Sequence, residues 1–396
     1  MQQLRKGTKD IIWKYYAFTF FNSLAFFSAV LIPFFTDWGG INQAQIQILQ
    51  SWFMFWIFVL EVPTGAIADY LGRKYSMALG GVVVTVAVLV YGSFPDFKVF
   101  LLAEFLYAAA VALISGADEA LLYDLLKERG QESESKKVFG RVNSFHLAAM
   151  LIAAPVGSLI AKSFGLNYPT LFTAIPYFIS ALIVWSIPES RIRTTRSEST
   201  RYVDIVKQGF VFFYNHKQLR KLALDSIIVA SSAYFVIWLY QPLLKLVGVD
   251  IFYFGFIHAG IVLVQILVSS NFEWFDKIFK SSRRFLFFSA FATAISFLAA
   301  AVFPSAITIF LLIVFAGGFG LTRLKYMTAF LNKLIPSSER ATILSSISMF
   351  RRFALVLLNP IVGFATVIDL RYGLAIAGLL PLTLLFFSPI EQEVFD

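Results

Sequence analysis

The 396 residues are 58% hydrophobic and only 14% charged, where soluble domains carry roughly 25% charged residues, and 45 of them are phenylalanine. With a mean hydropathy of +0.75 this excludes a soluble globule of two or three domains, whose surface would need far more polar side chains. The net charge of +9 has no polar domain to sit on, which argues against nucleic acid, and with no cysteine and three histidines neither a disulfide framework nor a metal centre is expected.

Residues 1–10 lack the short apolar core and small-residue cleavage site of a secretory signal, so the first apolar run is expected to stay in the mature protein. Crossing about 30 Å of hydrocarbon takes roughly 20 apolar residues. Such runs fall at 14–36, 45–68, 76–94, 98–126, 139–162 and 167–188, then at 222–245, 252–273, 284–304, 306–332, 341–367 and 371–389. The expectation is an all-α membrane protein of twelve transmembrane helices in two six-helix bundles, 1–188 and 222–396. A cytoplasmic linker at 189–221 joins them. Within the linker Tyr202, Val206, Phe210 and Phe213 recur at helical spacing opposite Lys207 and Gln208, the pattern of a helix lying in the membrane interface.

Assigning the loops to alternating sides places 25 Lys and Arg on one side and 4 on the other, with four more inside the runs. The positive-inside rule then puts both termini in the cytoplasm. Shifting the chain by 205 residues superposes Ser133–Glu134 on Ser338–Glu339, Phe145 on Phe350, Ala149 on Ala354 and Pro155 on Pro360. An intrahelical proline removes a backbone hydrogen bond, so the shared proline marks a shared bend. The halves therefore read as a duplicated, pseudo-symmetric unit, the layout that lets two bundles rock about a central site.

Between the second and third runs stands GAIADYLGRK, Gly65–Lys74. Gly65 allows close helix approach, Gly72 a tight turn, and Asp69 can accept hydrogen bonds or meet a helix N-terminus, while Arg73 needs a carboxylate. Gly65, Asp69, Gly72, Arg73 and Lys74 match the signature loop of the major facilitator superfamily, with Tyr70 in place of a usual Arg. The chain resembles the bacterial drug and metabolite permeases of that superfamily along its whole length. The resemblance implies the twelve-helix fold, alternating access, a cavity lined by helices one, four, seven and ten, and a pairing of Arg73 with an acid near the end of helix four, where Asp124 stands. Glu104 occupies the place of an Arg common in proton-coupled members. Ala153–Ser158, AAPVGS, matches only part of the fifth-helix motif of drug/proton antiporters.

An ionisable side chain well inside a span costs at least about 2.5–3.5 kcal/mol on insertion scales, so each should face water or a partner. Eight qualify: Glu104, Asp118, Glu119, His146, Arg323, Lys325, Arg351 and Arg352. At about 100° per residue, Asp118 and Glu119 fall within about 60° of Glu104 on a continuous helix, and Asp124 points away. The repeat makes Asp118 equivalent to Arg323 and His146 to Arg351. Asp118 and Arg323 are thus expected to face each other, either as a gate pair that never touches solute or as a solute or proton site. Of Arg351 and Arg352, one should face the cavity. Asn22 is either helix glue or a ligand contact, and Glu61 a proton relay or a packing acid. Most phenylalanines are expected to face lipid, with Trp238 and Tyr240 as interfacial anchors.

No phosphate loop, His-Glu-x-x-His pair or Gly-x-Ser-x-Gly elbow occurs, so neither an enzyme nor a cofactor is expected. The sequence reads as a monomeric secondary transporter of the plasma (inner) membrane, coupled to protons through Asp118 or Glu119. Its solute is small, organic, polar or amphipathic, and partly anionic because Arg323, Lys325, Arg351 and Arg352 outnumber the acids. Membrane lipid is the remaining partner. The alternatives are an ion-independent facilitator, a lipid flippase or a transporter-like receptor.

Overall fold

The computed structural model describes residues 2–190, 216–335 and 340–387. The interfacial-helix expectation at 202–213 and Ser338–Glu339 lie outside them. Ten described helices are long and apolar enough to cross a membrane: Thr8–Trp38, Arg73–Ser93, Phe97–Glu128, Glu132–Phe164, Tyr168–Trp185, Gln218–Leu246, Ile251–Ser270, Ser282–Val302, Ala306–Asn332 and Ile343–Ile368. Gln43–Leu71, bent by 46° between Glu61 and Pro63, is the second in chain order, and the shorter apolar helix Leu370–Phe387 comes last, twelve in all among the described residues. The third helix shows why these runs suit lipid. Leu79, Val82, Val86 and Leu89 form one exposed apolar stripe, while Val84, Ala87 and Val88 on the other face are buried.

The chain divides into two compact units, residues 1–41 with 52–202, and 42–51 with 203–396. This differs from a plain cut at the linker, because the first turns of the second helix group with the second unit. There Ser51 Oγ donates to the Val356 carbonyl at 3.0 Å, and Gly363 lies against Gln47 and Ala44.

In the first unit, helix three packs between helices four and six, and helix one packs on helices five and six. The core at the end carrying the Gly65–Lys74 loop is built from Tyr15, Phe18, Met77, Leu121, Leu125 and Val138. At the other end Phe34, Phe35, Trp38, Tyr91 and Phe100 form a cluster of stacked and edge-on rings. In the second unit helix nine packs on helix twelve, and a separate core of Leu222, Phe285, Phe319, Tyr326 and Met327 joins helices seven, nine and ten. Aromatics thus fill cores more than the sequence led us to expect. Phe34, Phe35, Phe100, Phe235, Phe254, Phe285 and Phe297 are fully buried, and Trp238 and Tyr240 are buried too, so they are not interfacial anchors.

Several expected continuous helices are broken. The first ends its α-helical part at Asn22, resumes as a 3-10 turn over Phe26–Val30 and closes with a π-helical turn over Phe34–Trp38. Thr173 Oγ1 on helix six accepts the freed Phe26 N–H at 3.1 Å, the side-chain satisfaction that membrane helices need at a break. Helix five makes room for it with Gly157, where an added Cβ would stand 1.8 Å from the Phe26 oxygen. Helix four splits at Gly116–Ala117 into Phe97–Ser115 and Asp118–Glu128. Helix ten carries a π-helical stretch over Ile313–Gly320 just before Arg323, a frequent mark of functional segments. The bend in helix two falls at Pro63, which has no N–H for the helical ladder.

Candidate functional site

The split in helix four starts a new half-helix at Asp118, so Asp118 and Glu119 occupy its first turn. Carboxylates are favoured at that end by the helix dipole and the unpaired N–H groups, and the Glu119 N–H donates to Asp118 Oδ1 at 2.6 Å. The Tyr15 hydroxyl donates to the Asp118 carbonyl, tying helix one to the break. Beside them opens a cleft of about 300 Å³ lined by Tyr15, Asn22, Ser23, Asp118, Glu119, Asn143 and His146 together with Phe18, Thr19, Phe139 and Val142. Ser23 Oγ and His146 Nδ1 share a hydrogen bond of 2.8 Å, and Ser180 Oγ donates to Asn22 Oδ1 at 3.5 Å. The structure therefore brings together Asn22, Asp118, Glu119 and His146 within the first unit. Such a set can exchange protons, hold a cation or hydrogen-bond a polar solute.

Glu104 is not part of it. The break at Gly116 removes the continuous phase that placed Glu104 on the Asp118 face. Its side chain is instead buried beside the hydroxyls of Tyr91 and Tyr107. Glu61 is half-buried at the bend of helix two, where Thr64 Oγ1 donates to the Leu60 carbonyl at 2.8 Å.

The loop after helix two is organised by three contacts. Gly72 adopts φ +108°, a conformation that side-chain-bearing residues rarely enter, and Gly65 is buried. Arg73 Nη1 pairs with Asp124 Oδ2 on the second half of helix four, while Asp69 is half-buried nearby in sequence. The Lys74 N–H donates to Glu189 Oε2 at 2.9 Å, so an acid just beyond helix six caps helix three, and Lys74 Nζ lies 5.6 Å from the Trp185 ring centre.

Arg323 departs from the expected arrangement. It is 2% exposed and its guanidinium pairs with Asp225 on helix seven, donating also to Ser289 Oγ and the Leu286 carbonyl. Its charge is answered inside the second unit by Asp225. A buried guanidinium needs a nearby carboxylate to offset its desolvation, and helix seven supplies one. Lys325 is exposed, and Arg351 and Arg352 are half-buried, with Arg351 beside Arg352 and the Tyr234 hydroxyl.

Sequence reasoning missed Asp225, Glu189, Tyr15, Ser23 and Asn143. Asp225 had a readable signal, being an acid inside the 222–245 apolar run. Glu189 stood at the start of the basic interval. Tyr15, Ser23 and Asn143 carry no charge and become visible only where helices meet.

Ten described helices long and apolar enough to cross a membrane, with the bent second helix and the shorter last one, fit a multi-pass membrane protein. The chain belongs to the Major Facilitator Superfamily, whose family model matches residues 15–357. It is similar to the multidrug resistance protein MdtL of Vibrio parahaemolyticus, 22% identical over 232 residues, 58% of this chain and 56% of that protein. The match thus spans little more than half the length of that relative. It is also similar to the uncharacterized MFS-type transporter YxaM of Bacillus subtilis, 24% identical over 332 residues, 80% of this chain and 78% of the relative. Among solved structures, a mutant of the nucleoside transporter NupG superposes with a TM-score of 0.83 at 14% identity, covering 98% of this chain and 100% of that one. A D-xylose-proton symporter gives 0.73 at 14% identity, covering 98% of each chain. These likenesses show the fold.

Proposed function

We propose that this protein is a secondary active transporter that moves a small organic solute by alternating access, driven by protons taken up at Asp118 or Glu119. One observation carries the reading: a break inside a membrane helix aims two adjacent carboxylates, with Asn22 and His146, into a cleft of about 300 Å³. Carboxylates in a membrane helix are costly unless they face water or a partner, and a protonatable acid in a cleft is what coupling to a pH gradient requires. The fold shared with a D-xylose-proton symporter supports proton coupling, and the relative named a multidrug resistance protein supports an organic, amphipathic solute. An anionic group on the solute would meet Lys325, Arg351 and Arg352, since Arg323 is already neutralised by Asp225.

On this reading the protein works as a monomer in the plasma (inner) membrane with both termini cytoplasmic. Asp69, Arg73 and Asp124 steady the cytoplasmic ends in the outward-facing state. The solute is found by screening metabolites and drugs for thermal stabilisation of the purified protein. Uptake of that compound into proteoliposomes then tests coupling. An imposed pH gradient should drive accumulation in the wild type, and Asp118→Asn with Glu119→Gln should abolish it. Uptake indifferent to the gradient would make the protein a facilitator, and lipid reorientation without solute uptake would make it a flippase.

A further inference from the structure

At the end of the first unit that carries the Gly65–Lys74 loop, a second cleft of about 760 Å³ opens beside the first, fourth and fifth helices. It shares no lining residue with the Asp118–Glu119 cleft. Lys9, Arg129, Lys137 and Arg141 line it against a single carboxylate, Glu134. Of the neighbouring acids, Glu128 partly answers Arg129 alone, which leaves Lys9, Lys137 and Arg141 against Glu134. Glu128 accepts Ser190 Oγ at 2.6 Å and lies 3.8 Å from Arg129, and Glu132 accepts the Tyr123 hydroxyl. Arg129 is held in place by the Leu125 carbonyl at 3.0 Å, and the chain turns tightly beside it at Gly130, φ +65°.

Four like charges drawn to one concavity repel one another and create a local positive potential that calls for a multivalent anion. Two guanidinium forks with two ammonium groups suit a tetrahedral phosphate, which offers several acceptor oxygens at once, better than a single flat carboxylate. Position adds to chemistry. Thr8 and Trp13 of the first helix line the cleft, and Trp13 is 61% exposed on its wall, the kind of side chain that favours lipid headgroups.

We propose that this cleft binds the phosphate group of an anionic ligand, supplied either by a phospholipid headgroup or by a free phosphate ester. The site is independent of the solute cleft and of the coupling ion.

The test uses the full-length protein in nanodiscs and reads thermal unfolding in three settings: phosphatidylcholine alone, phosphatidylcholine with phosphatidylglycerol, and phosphatidylcholine with glycerol 3-phosphate in the buffer. Wild type should be stabilised by phosphatidylglycerol, by glycerol 3-phosphate or by both, and added salt should weaken the effect. The Lys137→Gln/Arg141→Gln variant should lose about tenfold in apparent affinity, as expected for removing charge-assisted bonds. Lys137→Arg should retain binding, as should Arg283→Gln/Arg284→Gln, which removes two exposed cations from the other unit. Response to phosphatidylglycerol alone assigns the lipid, and response to glycerol 3-phosphate alone assigns the free ester. Lys137→Gln, at an exposed position, serves if the double variant does not fold. If wild type responds to neither, or if the cleft variants respond as the wild type does, the proposal is overturned.

Discussion

Asp118 and Arg323 occupy equivalent places in the two halves yet are neutralised in opposite ways. Asp118 borders a cleft and accepts the neighbouring Glu119 N–H, whereas Arg323 is sealed against Asp225, Ser289 and the Leu286 carbonyl. Removing one member of a buried ion pair leaves the other charge stranded, at about 3–5 kcal/mol, whereas removing both is far milder. Asp225→Asn and Arg323→Gln should each lower the unfolding midpoint of the purified protein sharply, and the double variant should recover much of the loss. Asp118→Asn should leave the midpoint nearly unchanged. Equal effects of Asp118→Asn and Asp225→Asn would contradict this division. The charges themselves were legible, because each stands out in an apolar run. Their partners were not. A repeat offset tells which positions are equivalent, but an equivalent residue need not face its counterpart, and Asp225 lies close enough in its own unit to claim Arg323 first.

At the scale of elements, the breaks in helices one and four shape the cleft. The break in helix one is accommodated by neighbours, since Thr173 takes up the Phe26 N–H and Gly157 lets helix five approach the Phe26 carbonyl, while the break in helix four falls at Gly116. A Cβ at Gly157 would stand 1.8 Å from that oxygen, so Gly157→Ala should force the two helices apart at about 1–3 kcal/mol, read as a lower unfolding midpoint. An unchanged midpoint would mean that the contact is looser than described. Gly72→Val should be at least as harmful, because φ is +108° and an added Cβ meets Glu189 Oε2 at 2.7 Å. Glu189→Gln keeps the acceptor to the Lys74 N–H and should be tolerated. The apolar runs announced the helices well, since twenty apolar residues can hardly do anything else in lipid. They could not announce the break in helix one, which involves single side chains from helices far away in sequence. Pro63, Gly72 and Gly116 carried local signals, the first by lacking an N–H and the glycines by their backbone freedom.

For the whole molecule, the 25 to 4 asymmetry of Lys and Arg predicts an orientation that single cysteines can report, since the chain has none of its own. A cysteine at Ser197 should label only from the cytoplasmic side and one at Asn42 only from outside, and the reverse pattern would invert the topology. Asp69→Asn should shift the cycle toward inward-facing conformers, measured as changed distances between spin labels on the cytoplasmic ends of the two units. Unchanged distance populations would remove the loop from that role. The central claim is that the cleft at the break of helix four couples solute movement to protons. Its most direct measurement is uptake of the stabilising compound into proteoliposomes, with and without an imposed pH gradient, for wild type and for Asp118→Asn/Glu119→Gln. The account predicts gradient-driven accumulation that the double variant loses while remaining folded. Accumulation that follows the gradient equally in both proteins would contradict it.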